Sequence, residues 1–153
     1  MRKEKLIFCP LGGSGEIGGN MNLYAYGEED NLKWIIVDMG VSFADDSVPG
    51  VDLIMPDAGF IIDKKDDLLG IVLTHAHEDH IGAVAHIWPN LKCKIYATPF
   101  TAALILEKFA YPPVSKILYL ILLLEITLSI ILFINPSYPQ IKPALRASIV
   151  FLP

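Results

Sequence analysis

The chain has 153 residues, a length that suits one domain of ordinary size. Its formal net charge of −5 is uneven: residues 1–110 hold 16 acidic and 9 basic side chains, whereas residues 111–153 hold one acidic and three basic ones. An acidic first part excludes capture of nucleic acid by broad electrostatic attraction from that part alone.

The start of the chain does not resemble a secretion signal. Residues 1–10 contain basic side chains and only a few apolar ones before Pro10, whereas a signal peptide needs an apolar core of roughly 7–15 residues. The two cysteines, Cys9 and Cys93, lack the paired spacing of a zinc site or a disulfide framework. Both observations lead us to expect a cytoplasmic protein.

Strands come first in the chain, and helices then alternate with strands. Apolar runs and alternating patterns predict strands over residues 6–11, 21–26, 34–37, 69–74 and 94–97. Residues 41–68 are predicted to be mostly loop, because Asp, Pro and Gly interrupt their short apolar pieces. Apolar spacing predicts helices over residues 81–88 and from about residue 98 to 109. This order predicts an α/β fold.

A glycine-rich stretch, residues 12–19, follows the first predicted strand. It contains G-x-G-x-x-G at residues 13–18, and Asp38 lies twenty residues after Gly18, which is the spacing of a dinucleotide-binding site. Such a site needs a helix directly after the glycines to hold the pyrophosphate. Here glycine and asparagine residues disfavour a helix and residues 21–26 alternate as a strand. We interpret the stretch as a tight loop, with nucleotide binding as the weaker alternative.

Three of the four histidines lie in one six-residue stretch, His75-Ala-His-Glu-Asp-His80, directly after a predicted strand. Imidazole and carboxylate groups bind zinc-like ions at about 2.0–2.2 Å. His75 and His77 are two residues apart on a loop that leaves a strand, so they can converge on one ion. Asp79 and His80 begin the next turn and point toward a second ion. The sequence therefore predicts four metal ligands; the alternative is a set of solvated residues at a helix start.

The His-x-His-x-Asp-His motif resembles that of metallo-β-lactamase-fold hydrolases. Together with residues 10–20, 38–57 and 74–83, it resembles the N-terminal part of bacterial ribonuclease J, and the resemblance covers about residues 6–109. It implies the first half of a metallo-β-lactamase-type αββα sandwich over residues 1–110. It also implies that the glycine-rich loop brings backbone close to a metal site.

The resemblance implies a metal-dependent hydrolase of RNA phosphodiester bonds, with 5′–3′ exonuclease and endonuclease activity. Two divalent metal ions would activate water, with zinc expected first and manganese as the alternative. Asp79 and His80 would then be catalytic residues as well as ligands. Asp38 would accept hydrogen bonds that fix the histidine loop; the alternative is an acid that caps a strand end. RNA as a partner and a homo-oligomer are implied for the intact family.

The predicted metal site is incomplete. Each ion needs about four ligands, and the resemblance implies a later His, a bridging Asp and a final His. This sequence has no histidine after His86 and no aspartate after Asp79. We therefore expect a truncated, inactive ribonuclease J-like chain that does not hold RNA by itself. A non-catalytic degenerate fragment is an alternative, and a hydrolase of the same superfamily that acts on thioesters or lactams is a weaker one.

Residues 111–153 are predicted to form a hydrophobic, Pro-containing tail unrelated to the domain before it. Fourteen of the eighteen residues 117–134 are Leu, Ile or Phe, and Glu125 lies among them. On an insertion scale the apolar residues contribute about −4 to −8 kcal/mol and the glutamate costs about 3 kcal/mol. Because the tail lacks Asp and Gly, we interpret it as out of frame or degenerate. A membrane-tethered metal-binding module is the alternative if the tail is genuine.

Overall fold

The computed structural model describes residues 4–46, 48–109 and 117–119. These residues belong to the first of two compact units, Met1–Leu120 and Ile121–Pro153. In chain order the elements are β1 Lys5–Gly12, β2 Met21–Glu28, β3 Asn31–Val37, β4 Ser42–Phe43, β5 Leu53–Ile54, α1 Gly59–Asp63, β6 Leu68–Leu73, α2 Glu78–Ile81, α3 Val84–Leu91, β7 Ile95–Ala97, α4 Pro99–Phe109 and β8 Ile117–Tyr119. A short 3-10 helix, Lys65–Asp67, separates α1 from β6.

The described strands form a mixed six-stranded sheet in the order β1-β2-β3-β6-β7-β8, and a separate pair, β4 with β5. Strands β1, β2 and β3 are antiparallel neighbours, whereas β3, β6, β7 and β8 run parallel. Because Val37 of β3 is paired with Val72 of β6, the carboxyl ends of these two strands lie side by side. Residues that follow them therefore meet at one edge of the sheet, where open α/β sheets carry their ligand sites.

One face of the sheet packs against helices and forms the core. Alternate residues of the central strands point into it and are fully buried, as period-two strands require: Met21, Leu23, Ile36, Ile71 and Ile95. Helix α3 contributes residues spaced i, i+3, i+4 and i+7, namely Val84, Ile87, Trp88 and Leu91. Burial of each such side chain contributes about 1.5–3 kcal/mol. The predicted α/β class is confirmed.

The opposite face of β1 and β2 carries exposed apolar side chains. Leu6, Phe8 and Tyr26 are 76%, 53% and 55% exposed. The ring centroids of Phe8 and Tyr24 lie 5.1 Å apart, because these two residues are direct cross-strand partners. A contiguous apolar face of this kind is what the predicted αββα sandwich needs for packing against a second sheet.

One prediction of local structure is wrong in detail. Residues 41–68 are mostly loop, as predicted, although they also contain β4, β5 and α1, which are too short to show a periodicity. The helix predicted over residues 81–88 is divided, because α2 ends at Ile81 and α3 begins at Val84. The break lies where the backbone passes close to the β3–β4 loop: a Cβ added at Gly82 would lie 2.7 Å from Val41, and Ala83 N donates to Met39 O at 3.0 Å.

Most of the predicted tail, residues 111–153, lies outside the described residues. The described part of it is β8, which pairs with β7. Within residues 4–46, 48–109 and 117–119, no helix combines the length and the apolar character needed to cross a membrane. The interpretation of the tail as out of frame, degenerate or membrane-tethered stays a prediction.

Candidate metal centre

Asp38 follows β3 directly and lies beneath the loop that connects β6 to α2. Its backbone is left-handed, with φ of 63°, a conformation that aspartate tolerates better than most residues. Asp38 N donates to Val72 O at 2.9 Å, which ties the turn to the neighbouring strand. The carboxylate is thereby buried, with 4% of the residue exposed.

The Asp38 carboxylate is the centre of a hydrogen-bond network. It accepts from Thr74 N at 2.8 Å, from the Thr74 hydroxyl at 2.9 Å and from His80 Nδ1 at 2.8 Å. A buried carboxylate needs such partners to offset the cost of removing its charge from water. The network supports the predicted role of Asp38, which was to fix the histidine loop by accepting hydrogen bonds.

The same network sets the tautomers of two histidines. Thr74 has one hydroxyl proton, and it donates that proton to the Asp38 carboxylate, which can only accept. The Thr74 oxygen can therefore accept a hydrogen bond from His75 Nδ1, which lies 3.0 Å away. His80 likewise donates from Nδ1 to Asp38. Both imidazoles therefore keep the lone pair on Nε2. This is the arrangement by which a carboxylate or hydroxyl orients a histidine ligand toward a metal.

The four predicted ligands form two pairs of donor atoms. His75 Nε2 lies 3.2 Å from His77 Nδ1, and His80 Nε2 lies 3.4 Å from Asp79 Oδ2. Two ligands of one tetrahedral zinc ion, with bonds of about 2.0–2.1 Å, lie about 3.3–3.4 Å apart. Both separations fit a shared ion. The rings of His75 and His80 are 3.9 Å apart between centroids, so the two pairs adjoin.

The electrostatics of the loop favour neutral imidazole at His75. Loss of solvent around the ring, followed by the nearby imidazoles of His80 and His77, lowers the pKa of His75 below its ordinary value of 6.5. The negative charges of Asp38 and Asp79 oppose this shift without overcoming it. Neutral imidazole is the form that binds metal ions.

The donor types fit a divalent ion, but the donor number does not complete a site. Within the part of the chain that the structure describes, no group of three or more His, Cys, Asp or Glu side chains is placed to hold one ion. This agrees with the ligand count from the sequence, which has no histidine after His86 and no aspartate after Asp79. His86 itself is exposed on α3, away from the donor pairs.

Two residues of the site, Asn20 and Thr74, were not identified from the sequence. Asn20 follows the glycine-rich loop; its backbone N donates to Asp79 O at 3.0 Å and its side-chain amide donates to the same oxygen at 3.0 Å. A Cβ at Gly40 would lie 1.7 Å from Asp79 O, so this approach is possible because position 40 is glycine. The glycine-rich loop thus lies against the histidine loop, and the strand β2 follows it rather than a helix.

The fold and the donor pairs together define an α/β domain with a histidine-rich loop at the carboxyl edge of its sheet. Residues 18–144 match the family model Lactamase_B, described as the metallo-beta-lactamase superfamily. The chain belongs to the metallo-beta-lactamase superfamily, whose members use divalent metal ions. The predicted fold class, an α/β fold that forms the first half of a metallo-β-lactamase-type αββα sandwich, is confirmed. The match extends into residues 111–144, and the predicted boundary at residue 110 stays a prediction.

The relatives include bacterial ribonucleases J. Ribonuclease J of Sinorhizobium meliloti (strain Sm2011 / Rm2011 / 2011) is 49% identical over 108 residues, which are 71% of this chain and 19% of that protein. Ribonuclease J of Helicobacter pylori (strain ATCC 700392 / 26695) is 42% identical over 107 residues, 70% of this chain and 15% of that one. Ribonuclease J 2 of Staphylococcus aureus (strain NCTC 8325 / PS 47) is 37% identical over 115 residues, 75% and 20% of the two chains.

The resemblance to ribonuclease J is confirmed by these relatives, and the chain spans about a fifth or less of their length. Among solved structures, an N-acyl homoserine lactone hydrolase with its product at the catalytic metal center is 20% identical. The likeness covers 77% of this chain and 60% of that chain, with a TM-score of 0.38. A TM-score this low supports no conclusion about this chain.

Proposed function

We propose that this chain carries one side of the active site of a ribonuclease J-like enzyme that hydrolyses RNA phosphodiester bonds. The proposal rests on the two pairs of donor atoms. His75 Nε2 lies 3.2 Å from His77 Nδ1, and His80 Nε2 lies 3.4 Å from Asp79 Oδ2. The relatives named ribonuclease J support RNA as the substrate. Zinc fits the imidazole-rich donors best, and manganese is the alternative.

Each residue of the loop has a role in this proposal. His75 and His77 hold one ion, and Asp79 and His80 hold the other. A bound divalent ion supplies Lewis-acid activation of water and stabilises negative charge on the phosphate. Asp38 orients His80 directly and orients His75 through Thr74, which keeps the lone pair of both rings on Nε2, the atom that would bind an ion. Exonuclease and endonuclease action are both within this proposal.

The chain by itself is proposed to leave RNA uncleaved. Two donors per ion are half of the usual four, and the described residues offer no third donor to either pair. The acidic excess of residues 1–110 also repels the RNA backbone. Self-association and a cytoplasmic location belong to the same proposal; the latter is supported by Cys9 and Cys93, which form no disulfide in the described structure.

Zinc binding by the full chain tests the ligand assignment. We expect weak binding, because each ion finds only two donors, and we expect loss of binding when His75→Ala and His77→Ala are combined with Asp79→Ala and His80→Ala. His86→Ala is the matched control, since His86 is exposed on α3 and outside the loop. Isothermal titration measures the affinity. Tight binding that survives the quadruple substitution would overturn the assignment.

RNA hydrolysis tests the function itself. A 5′-monophosphorylated RNA is incubated with the pure chain and zinc or manganese, and then with the same chain plus a ribonuclease J whose own His-x-His-x-Asp-His motif is replaced by alanine. We expect no cleavage above background by the chain alone or by the substituted enzyme alone, and cleavage by the mixture. Cleavage by the chain alone that disappears with Asp79→Ala and His80→Ala would refute the proposed inactivity and would establish a working nuclease that takes its missing ligands from a second copy.

A further inference from the structure

The side chain of Asn20 contacts the histidine loop, 59 and 60 positions further along the chain. Its amide nitrogen lies 3.0 Å from Asp79 O, 3.2 Å from Asp79 Oδ2 and 3.3 Å from His80 Nε2. The two amide protons are therefore shared among three acceptors, and two of these are the donor atoms of one predicted metal pair. The backbone of Asn20 is held separately, by its own bonds to Asp79 O and Gly40 N.

We propose that Asn20 is a positioning residue for the Asp79–His80 pair, and that the glycine-rich loop sets its amide. The inference rests on the proposed function, because it assigns the support of the same metal donors. The His80 Nδ1 proton goes to Asp38, so Nε2 can accept from Asn20 when no ion is bound. One amide thus holds a carboxylate oxygen and an imidazole nitrogen 3.4 Å apart, the separation that one ion needs.

Two opposing effects decide whether Asn20 raises or lowers the affinity of the Asp79–His80 pair for metal. A bound ion takes the Nε2 lone pair of His80, so that contact of Asn20 competes with the metal. The hydrogen bond to Asp79 Oδ2 does not compete in this way, because a carboxylate oxygen has a second lone pair for an ion, and this bond fixes the carboxylate. The Nε2 contact is the longest of the three, whereas the bond to Asp79 Oδ2 is assisted by charge and about twice as strong as a neutral one. Orientation of Asp79 therefore dominates, and Asn20 raises the affinity for metal.

Gly13 makes room for the Asn20 amide. A Cβ at Gly13 would lie 2.3 Å from Asn20 Oδ1 and 2.9 Å from Asn20 Cα, so an alanine there must displace the side chain. Gly15 provides a matched control within the same loop. Its φ of +85° resembles the +79° of Gly13, but a Cβ at Gly15 would meet no atom within 4 Å. The two alanine variants carry similar backbone strain and differ in whether they displace Asn20.

The test is a zinc titration of the full chain, followed by the imidazole ¹⁵N shifts of His77 and His80. In Asn20→Ala we expect the zinc concentration at which His80 responds to rise about 10–100-fold, the range for loss of a supporting hydrogen bond. The response of His77 should stay within about twofold. Gly13→Ala should reproduce the effect on His80 and Gly15→Ala should not. Thermal unfolding of each variant shows that it is folded.

A metal-free measurement separates positioning from a general loss of structure. Without zinc, Asn20→Ala should shift the His80 Nε2 resonance, whereas the Nδ1 resonance, bonded to Asp38, should not move. Equal zinc responses in wild type and Asn20→Ala would overturn the inference and leave the proposed function standing. Zinc binding by the chain without RNA cleavage by its mixture with the motif-substituted ribonuclease J would overturn the function and leave the inference standing. No zinc response in wild type would overturn both.

Discussion

The two donor pairs of the histidine loop are held to very different degrees. His80 is 20% exposed, and its ring lies between Asp38 at 2.8 Å and the Asn20 amide at 3.3 Å. His77 is exposed, and in the described part of the chain the contact of its ring is with His75, at 3.2 Å. Asp38 and Asn20, which lie on two other loops, thus hold the Asp79–His80 pair. The His75–His77 pair is held by the contact between its own rings and by Thr74.

The backbone explains this difference. Residues Glu78, Asp79 and His80 begin α2, and their three carbonyl oxygens accept from Val41 N, Asn20 N and Met39 N. The start of α2 is thereby fastened to the segment after β3 and to the glycine-rich loop. Residues 75–77, which bend at Ala76, make no such backbone hydrogen bonds to these two segments in the described structure. The Asp79–His80 pair is therefore preorganised, and the His75–His77 pair must lose more conformational freedom when it binds an ion.

Removal of Asp38 should disable both donor pairs and thereby remove the difference between them. In Asp38→Ala the Thr74 hydroxyl and His80 Nδ1 lose their buried acceptor, so we expect about 3–5 kcal/mol less stability and loss of zinc at both pairs. Urea unfolding followed by tryptophan fluorescence measures the first and titration the second. Thr74→Val is the control: it removes the hydroxyl that links Asp38 to His75 but leaves the bond from His80 Nδ1 to Asp38, so it should weaken the His75–His77 pair more than the Asp79–His80 pair. Loss at one pair only in Asp38→Ala would contradict the shared role of Asp38.

Single histidine substitutions should reveal how differently the two pairs are held. His80→Ala removes a partner of the buried Asp38 carboxylate, so we expect about 1–3 kcal/mol of destabilisation without metal. His77→Ala changes an exposed ring and should stay within about 0.5 kcal/mol. Both variants should bind zinc less well, so stability in metal-free solution is the quantity that distinguishes them. Equal unfolding midpoints in urea would show that the two pairs are held alike.

The residues that the sequence predicted are those whose signal is local. His75, His77, Asp79 and His80 lie within six residues, so their shared chemistry is visible without a fold. Asp38 lies 42 residues from His80, and its role came from the resemblance and from its place at a strand end. The structure joins them because β3 and β6 are parallel neighbours, which places the ends of both strands at one edge.

Asn20 and Thr74 could not be predicted by the same reasoning. Asn20 contacts Asp79 across 59 positions of sequence, and that contact depends on close packing at Gly13 and Gly40. The sequence indicates only that Asn20 disfavours a helix. The sequence predicts Thr74 only as the last residue of a strand, although its hydroxyl connects Asp38 to His75. Short elements such as α1, five residues long, show no periodicity that a sequence pattern can reveal.

A salt bridge outside the site should have the smallest effect on stability. Lys5 Nζ lies 2.7 Å from Glu29 Oε2, and the two side chains are 45% and 76% exposed. The hydrogen bond and the charge of Lys5 lower the pKa of Glu29 below its ordinary value of 4.5. A lowered carboxyl pKa stabilises the folded state above the unfolded pKa, and that contribution is lost as the pH falls through the folded pKa.

We therefore expect Glu29→Gln to lower the urea midpoint slightly at pH 7, by less than either histidine or Asp38 substitution. The wild type and the variant should converge as the pH falls well below 4.5, where the carboxyl of Glu29 is protonated. Molar salt should also reduce the difference, because it screens exposed charges, whereas it should leave the effect of Asp38→Ala largely intact, since that carboxylate is buried. A Glu29→Gln effect that persists at low pH would show that the side chain acts through packing rather than through its charge.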